Sequence, residues 1–258
     1  MKFCTIGSGS KGNMVYIETK EAKVIVDVGI SLRESNRRIT DMDIDFEDVD
    51  AIIISHEHSD HVRFLGTFMK KTKATLYINE LSFANLPVYV KQSLGDIKVK
   101  FIEENKKYKI KDLDLLTLKL SHDSSNVFGF IFINDDKRLA YITDTGFLPL
   151  QYINLLKDID GLIIECNHDI QMLMESNRPL ELKHRILSPR GHMSNHICLQ
   201  VLLSVLNERH KIVLLAHLSE DCNSVDIVEE EVINEAKKLY DTKIQIAAQY
   251  EASEIFEL

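Results

Sequence analysis

The sequence predicts an α/β fold in which two β-sheets lie face to face, with helices on both outer faces. Strand-like apolar runs are grouped in the first and middle parts of the chain, and in the last third they alternate with helical segments, the pattern that layered sheet-and-helix folds produce. No internal repeat, low-complexity tract or Pro/Gly-rich linker divides the 258 residues, and none of the four prolines sits in a linker-like context. With 45% apolar residues the chain can bury a large core. One domain spanning 1–258 is therefore the expectation.

The elements follow from local pattern. Short runs rich in β-branched and aromatic residues place strands near 3–6, 14–19 and 23–28, and Ser31 then offers a good N-cap for a helix. A helix is expected around 62–71, after the polar loop that begins at Ser55. Strand-like runs follow at 74–78, 98–103, 113–120, 127–133 and 138–143, so the middle of the chain reads mainly as sheet. Helical segments at 149–157, 181–187, 195–208 and 225–240 then alternate with strands at 161–165, 212–216 and 244–249.

The chemistry concentrates after the apolar run Ala51-Ile52-Ile53-Ile54. There the chain reads His56-Glu57-His58-Ser59-Asp60-His61, three imidazoles and a carboxylate within six residues. In extended backbone side chains alternate in direction, so His56 and His58 can converge on one ion. Asp60 and His61 are adjacent and share a direction only if the backbone turns, so a tight loop there would serve a second ion. Two metals about 3.5 to 4 Å apart form a hydrolytic device. Glu57, pointing away from the ligands, reads as a surface or supporting residue. Further ligands must come from elsewhere, and four more apolar runs stop at a residue with metal or proton chemistry: Leu115 to Ser121 at His122, Leu139 to Thr143 at Asp144, Leu162 to Ile164 at Glu165 and Ile212 to Ala216 at His217. Sheets fix such strand-end residues in space while the loops vary.

These motifs, in this order, resemble the metallo-β-lactamase-fold hydrolases over essentially the whole chain. Within that superfamily the likeness is to the YycJ (or WalJ) group, near the ribonuclease Z and cyclic-phosphodiesterase branches. Its markers here are Ser8-Gly9-Ser10-Lys11-Gly12-Asn13, Glu165-Cys166-Asn167-His168-Asp169, Gly191-His192-Met193-Ser194-Asn195 and His217-Leu218-Ser219-Glu220-Asp221-Cys222-Asn223, the last with Cys222 where the pattern has Asn. The resemblance implies an αββα sandwich of two mixed β-sheets flanked by helices. It also implies that His56, His58 and His122 bind one metal, that Asp60, His61 and His217 bind another, and that Asp144 bridges the two. Asp60, Glu165 and His192 become the catalytic residues, with Glu165 orienting His192 as a general acid or phosphate clamp. Ser10, Asn13, His168 and Ser194 become substrate contacts. The Ser8 to Asn13 segment reads equally well as a plain hairpin connection or as a backbone-amide cradle for phosphate.

Imidazole and carboxylate ligands without thiolate suit zinc, manganese or iron, and two divalent ions, Zn2+ or Mn2+, are the expected cofactors. Water shared between two such ions has its pKa drawn toward neutrality. The implied function is a metal-dependent phosphodiester hydrolase, a DNA exonuclease acting from the 5′ end. Its alternative is a phosphodiesterase for small cyclic nucleotides or cyclic phosphate esters, and a non-enzymatic binding role is a third reading. Only the 72 residues 145 to 216 separate Asp144 from His217, too few for the inserted cap domain of the ribonuclease J branch. No segment resembles the long tRNA-gripping arm of ribonuclease Z.

A net charge of −9 disfavours an extensive nucleic-acid footprint, although Lys98, Lys100, Lys106, Lys107, Lys109 and Lys111 form one basic stretch and Lys70, Lys71 and Lys73 another. Such stretches are most often solvated faces. No apolar run nears the roughly 18 residues needed to span a bilayer, and no signal-peptide hydrophobic segment opens the chain. Cys4, Cys166, Cys198 and Cys222 are too scattered for a thiolate knuckle or a disulfide framework, so a cytoplasmic protein with reduced thiols is expected. The expected partner is nucleic acid or a nucleotide and not a membrane. Because relatives are commonly dimers, a homodimer is the assembly the resemblance allows.

Overall fold

The computed structural model describes residues 1–258, in two seven-stranded sheets. The first contains β1 (Lys2–Gly7), β2 (Met14–Glu18), β3 (Lys23–Val26), β4 (Ala51–Ile53), β5 (Thr75–Ile78) and β6 (Val99–Phe101) in that spatial order. The second contains β7 (Lys107–Ile110), β8 (Leu113–Leu120), β9 (Val127–Asn134), β10 (Lys137–Ile142), β11 (Gly161–Glu165), β12 (Ile212–Ala216) and β13 (Lys243–Ile246). The last strand, β14 (Phe256–Glu257), returns to the first sheet beside β1. Both sheets are mixed. β1 to β3 and β7 to β10 pair antiparallel, whereas β3 to β6 and β10 to β13 pair parallel.

Period-two alternation explains the layers. In the run after Asp50, Ala51 and Ile53 face the second sheet and join Phe3, Phe128, Phe130 and Tyr141 in the interior of the sandwich. Ile52 and Ile54 face the other way and pack with Phe68, Val90 and Leu94 under the outer helices Leu65–Lys71 and Val88–Leu94. The second sheet repeats the arrangement: Leu162 and Ile164 pack against Tyr152, Leu202 and Val205 of the helices Leu150–Leu156 and Asn195–Val205, while Ile163 faces inward. The expected αββα sandwich is therefore the one observed, with both strand surfaces dry, as runs such as Leu162-Ile163-Ile164 require. No helix is long and apolar enough to cross a membrane.

Several boundaries differ from the sequence expectation. Ser31 does cap Leu32–Arg38, its hydroxyl accepting from the Glu34 N–H. The single helix expected over 62–71 is divided into one turn, Ser59–Val62, and a second helix, Leu65–Lys71. The segments Glu80–Ala84, Val88–Leu94, Ile170–Glu175, β7 and β14 were not anticipated, being too short to show a period, and the span 225–240 is broken by a π-helical stretch at Glu229–Ile233. Several lysines of the two stretches have places within the fold. Lys100 sits on the outermost strand of its sheet over the rings of Tyr77 and Tyr108, and Lys107 and Lys111 pair with Asp114 at 2.8 Å and Asp50 at 2.6 Å. Charged residues on open edges discourage edge-to-edge pairing between molecules. Lys70 and Lys71 occupy the last turn of their helix, where cations complement its dipole.

The strand directions gather the chemistry. β8 and β10 are each antiparallel to β9 and so run the same way, with β11 and β12 parallel to β10. Their C-terminal ends therefore share one rim of the second sheet. Gly29, in the segment after β3, lets that loop lie against the metal-motif helix: its N–H bonds the Asn13 carbonyl at 3.0 Å, and a Cβ there would overlap the Asp60 carbonyl. Gly29→Ala should therefore cost about 2 kcal/mol in urea-unfolding free energy, as overpacking a tight backbone contact does; wild-type stability in that variant would contradict the packing described.

Candidate metal centre

The residues singled out in the sequence converge at the rim where these strands end. His56 follows β4, and His58 is the N-cap residue of the turn Ser59–Val62, which carries Asp60 and His61. The tight loop expected at Asp60 and His61 is thus a helical turn, in which neighbouring residues project about 100° apart and both can reach one point. His122 follows β8, Asp144 follows β10, Glu165 ends β11 and His217 follows β12.

Four sets of donor atoms each lie within 4.8 Å of one another: His56, His58 and His122; Asp60, His61 and His217; His56, His61 and Asp144; and Asp144, Glu165, His192 and His217. Asp144 links the halves. Its Oδ2 is 3.3 Å from His61 Nε2, and its Oδ1 is 3.7 Å from His217 Nε2 and 3.8 Å from His122 Nε2. Asp60 Oδ2 stands 3.4 Å from the Nε2 atoms of both His61 and His217.

The donor set fits divalent cations on a physical test. His56 Nε2 and Asp144 Oδ2 are buried without any hydrogen-bond partner, a state that ordinarily costs about 1 to 3 kcal/mol per group. The opposite ring nitrogens are engaged. His56 Nδ1 lies 3.0 Å from Ser55 Oγ, His61 Nδ1 lies 2.8 Å from Asp27 Oδ2, His122 Nδ1 donates to the Gly191 carbonyl at 2.9 Å, and His217 Nδ1 is 3.2 Å from Glu165 Oε1. Such bonds fix tautomer and ring orientation so that Nε2 is offered to a metal. Oxygen and imidazole donors with no thiolate suit hard or borderline divalent ions.

Electrostatics hold the carboxylates ionised. Burial acts to raise the Asp144 pKa, yet the imidazoles of His217 and His61 keep it well below the ordinary carboxylate value. Asp60 behaves the same way between His61 and His217. Burial and the neighbouring His61 push His56 well below the usual imidazole value, the neutral form that a ligand needs. Glu165, though buried, is held down to about 2 by His192, and the same contact raises His192 against the opposing pull of burial.

Backbone strain marks the same places. Asp27, Asp144 and His217 have φ of 58°, 57° and 57°, the left-handed region that L-residues seldom occupy. Each immediately or nearly follows a strand, and the reversal turns its side chain into the rim instead of along the sheet.

Beside the imidazoles, His192 Nδ1 bonds Glu165 Oε1 at 2.7 Å, while Glu165 Oε2 accepts from the backbone N–H groups of Thr145 and Met193 at 2.9 and 3.1 Å. Glu57 Oε1 accepts the Ser125 N–H at 2.8 Å and ties the metal motif to the loop after β8. Of the four expected substrate contacts only Ser10 lies on the wall of the cleft, which His58, His122 and His192 also line. Asn13 is buried with its amide 3.2 Å from Asp60 Oδ2, and Ser194 is buried as a helix N-cap accepting from Ile197. His168 is buried 3.3 Å from Asn167. The hairpin reading of Ser8 to Asn13 accounts for what is seen: Asn13 Oδ1 accepts from the Gly9 N–H at 2.9 Å, and Ser8 Oγ accepts from the His217 N–H.

Sequence reasoning missed the residues behind the ligands. The Asp27 carboxylate accepts from Ser55 N and Oγ and from the Tyr141 hydroxyl at 3.0 Å, besides meeting His61. The signal existed, since Lys23-Val24-Ile25-Val26 is one more apolar run stopping at an aspartate. It also missed Asp123, whose Oδ1 is 3.2 Å from His122 Nε2, and the arginines Arg178 and Arg185, which line the cleft paired with Asp221 and Asp123. No local pattern announces these. Cys166 and Cys222 are buried free thiols, as expected of small filler; Cys222 packs with Leu173 and Ile186.

Comparison with known proteins agrees with the fold. A family model described as "Beta-lactamase superfamily domain" matches residues 22–217. The chain is 33% identical over 235 residues to the exodeoxyribonuclease WalJ of Streptococcus pneumoniae serotype 2 (strain D39 / NCTC 7466), covering 91% of this chain and 87% of that one. It is 32% identical over 261 residues to the exodeoxyribonuclease YycJ of Bacillus anthracis, covering 94% and 95%. The crystal structure of the metallo-β-lactamase fold protein YhfI from Bacillus subtilis superposes with a TM-score of 0.73 over 99% of both chains at 17% identity, a likeness of fold.

Asp27→Asn should weaken divalent-ion affinity about 10- to 100-fold, as loss of a ligand-orienting carboxylate does. Competition with a chromogenic chelator measures this, and unchanged affinity would remove Asp27 from the ion site.

Proposed function

The chain belongs to the β-lactamase superfamily, and we propose that it is a divalent-metal-dependent exodeoxyribonuclease that hydrolyses the phosphodiesters of DNA from the 5′ end. His56, His58 and His122 would hold one ion and Asp60, His61 and His217 the other, with Asp144 between them; Zn2+ or Mn2+ suits these donors. Divalent ions held there supply Lewis acidity toward a phosphoryl oxygen and acidify water.

The observation that carries the reading is the Glu165–His192 pair standing beside the ligand cluster. Hydrolysis of a diester needs a proton delivered to the departing alkoxide. His192 Nδ1 is committed to Glu165, so its Nε2 is the ring atom left to hold that proton and to face the cleft that His192 lines. Glu165 itself is anchored by two backbone N–H groups, which fixes the imidazole. Arg178 and Arg185 on the same wall are matched by Asp221 and Asp123 and the net charge of the chain is −9, so the attraction for a phosphate would come mainly from the ions. The similarity to WalJ and YycJ supports DNA as the polymer. A pocket for one small cyclic nucleotide is the competing reading, which the acidic net charge favours.

Purified, metal-loaded protein should release mononucleotides from the 5′ end of labelled single-stranded DNA. His192→Ala should lower kcat about 10²- to 10⁴-fold, the usual contribution of a positioned general acid. Turnover of cyclic mononucleotides with no action on DNA would overturn the nuclease reading in favour of its competitor.

A further inference from the structure

A second cavity, of about 510 Å³, opens on the far side of His122, which contributes to the walls of both this cavity and the cleft. Its size lies in the range of about 300 to 1,000 Å³ typical of pockets for small organic ligands. Lys119, near the end of β8, and Arg190, two residues before His192, are its cations. Neither is in an ion pair. Arg190 Nε has one long hydrogen bond, 3.4 Å, to the His122 carbonyl, and the Lys119 ammonium lies 5.9 Å from the centre of the Phe128 ring without donating to any acceptor. The cleft arginines differ, each being matched by an aspartate.

A half-buried ammonium without an ion pair, with an exposed guanidinium lining the same cavity, favours an anion there. Burial also holds the Lys119 pKa below the ordinary lysine value. One neighbouring feature selects the kind of anion. Phe147, at the mouth, keeps 41% of its surface exposed and offers a ring face. Glu104 also lines it, exposed, and its carboxylate partly offsets the charge of Lys119. Phosphate beside a flat base is the chemistry that uses the cations and the ring together.

We propose that this cavity seats the nucleotide adjoining the scissile linkage of single-stranded DNA, with Lys119 and Arg190 on its phosphate and Phe147 against its base. The inference rests on the nuclease reading above. It places the cavity next to the candidate ion site, since His122 lines both.

The test compares metal-loaded wild type with Lys119→Ala, Arg190→Ala and Phe147→Ala on single-stranded DNA. Each is expected to raise KM about tenfold with kcat within about twofold. Binding of a fluorescent phosphorothioate oligonucleotide, followed against salt, should have a slope of log K on log salt shallower by about 0.7 for each cation removed. Phe147→Ala should leave that slope unchanged, and Lys119→Arg and Arg190→Lys should restore it, which a merely structural role would not do. Variants that bind and cleave like wild type, with unaltered slopes, overturn the inference and leave the nuclease reading standing. Wild type that hydrolyses thymidine 5′-(p-nitrophenyl phosphate) but leaves DNA intact overturns both.

Discussion

Two buried atoms with nothing to bond, His56 Nε2 and Asp144 Oδ2, set the terms for the rest of the molecule. Proteins rarely tolerate such groups, and these two lie among five other imidazole and carboxylate side chains, His58, Asp60, His61, His122 and His217, the seven together following four strand ends. Divalent cations remove the cost by accepting the lone pairs. The surrounding bonds are consistent with that purpose, since Ser55, Asp27, Gly191 and Glu165 occupy the opposite ring nitrogens and leave the inward-facing atoms free.

The sandwich exists in a form that brings these atoms together. Parallel pairing of β10, β11 and β12 puts Asp144, Glu165 and His217 on one rim, and β8, running the same way, adds His122. The first sheet supplies the His56 to His61 segment and Asp27 at the end of β3. Tyr141 joins the two sheets: its hydroxyl reaches from β10 across the interior to Asp27. Left-handed backbone at Asp27, Asp144 and His217 is the local cost of turning strand-end side chains inward, and two rigid sheets are able to bear it.

Much of this was legible in the sequence because the ligands announce themselves locally. A run such as Leu139-Ala140-Tyr141-Ile142 followed by Thr143-Asp144 carries both the strand and its functional end, and the His56 motif names its own chemistry. The same rule, applied evenly, reaches Asp27. Residues that act through tertiary placement are of another kind. Arg185 meets Asp123 from a separate helix, Tyr141 reads as one more apolar strand residue, and Lys119 and Arg190 line one cavity with no spacing to link them. At the seam between Val62 and Leu65, where one expected helix becomes two, the Phe64 N–H leaves the helical ladder and bonds the Val28 carbonyl at 3.1 Å. Asn13 and Ser194 show the converse. Their motifs flagged them as substrate contacts, but their amide and hydroxyl groups are spent inside the fold.

Anomalous diffraction from crystals grown with Zn2+ or Mn2+ tests the central claim most directly. The account predicts two peaks, one among His56, His58 and His122 and one among Asp60, His61 and His217, with Asp144 reaching both. Crystals saturated with metal that place no ion among these side chains would contradict it.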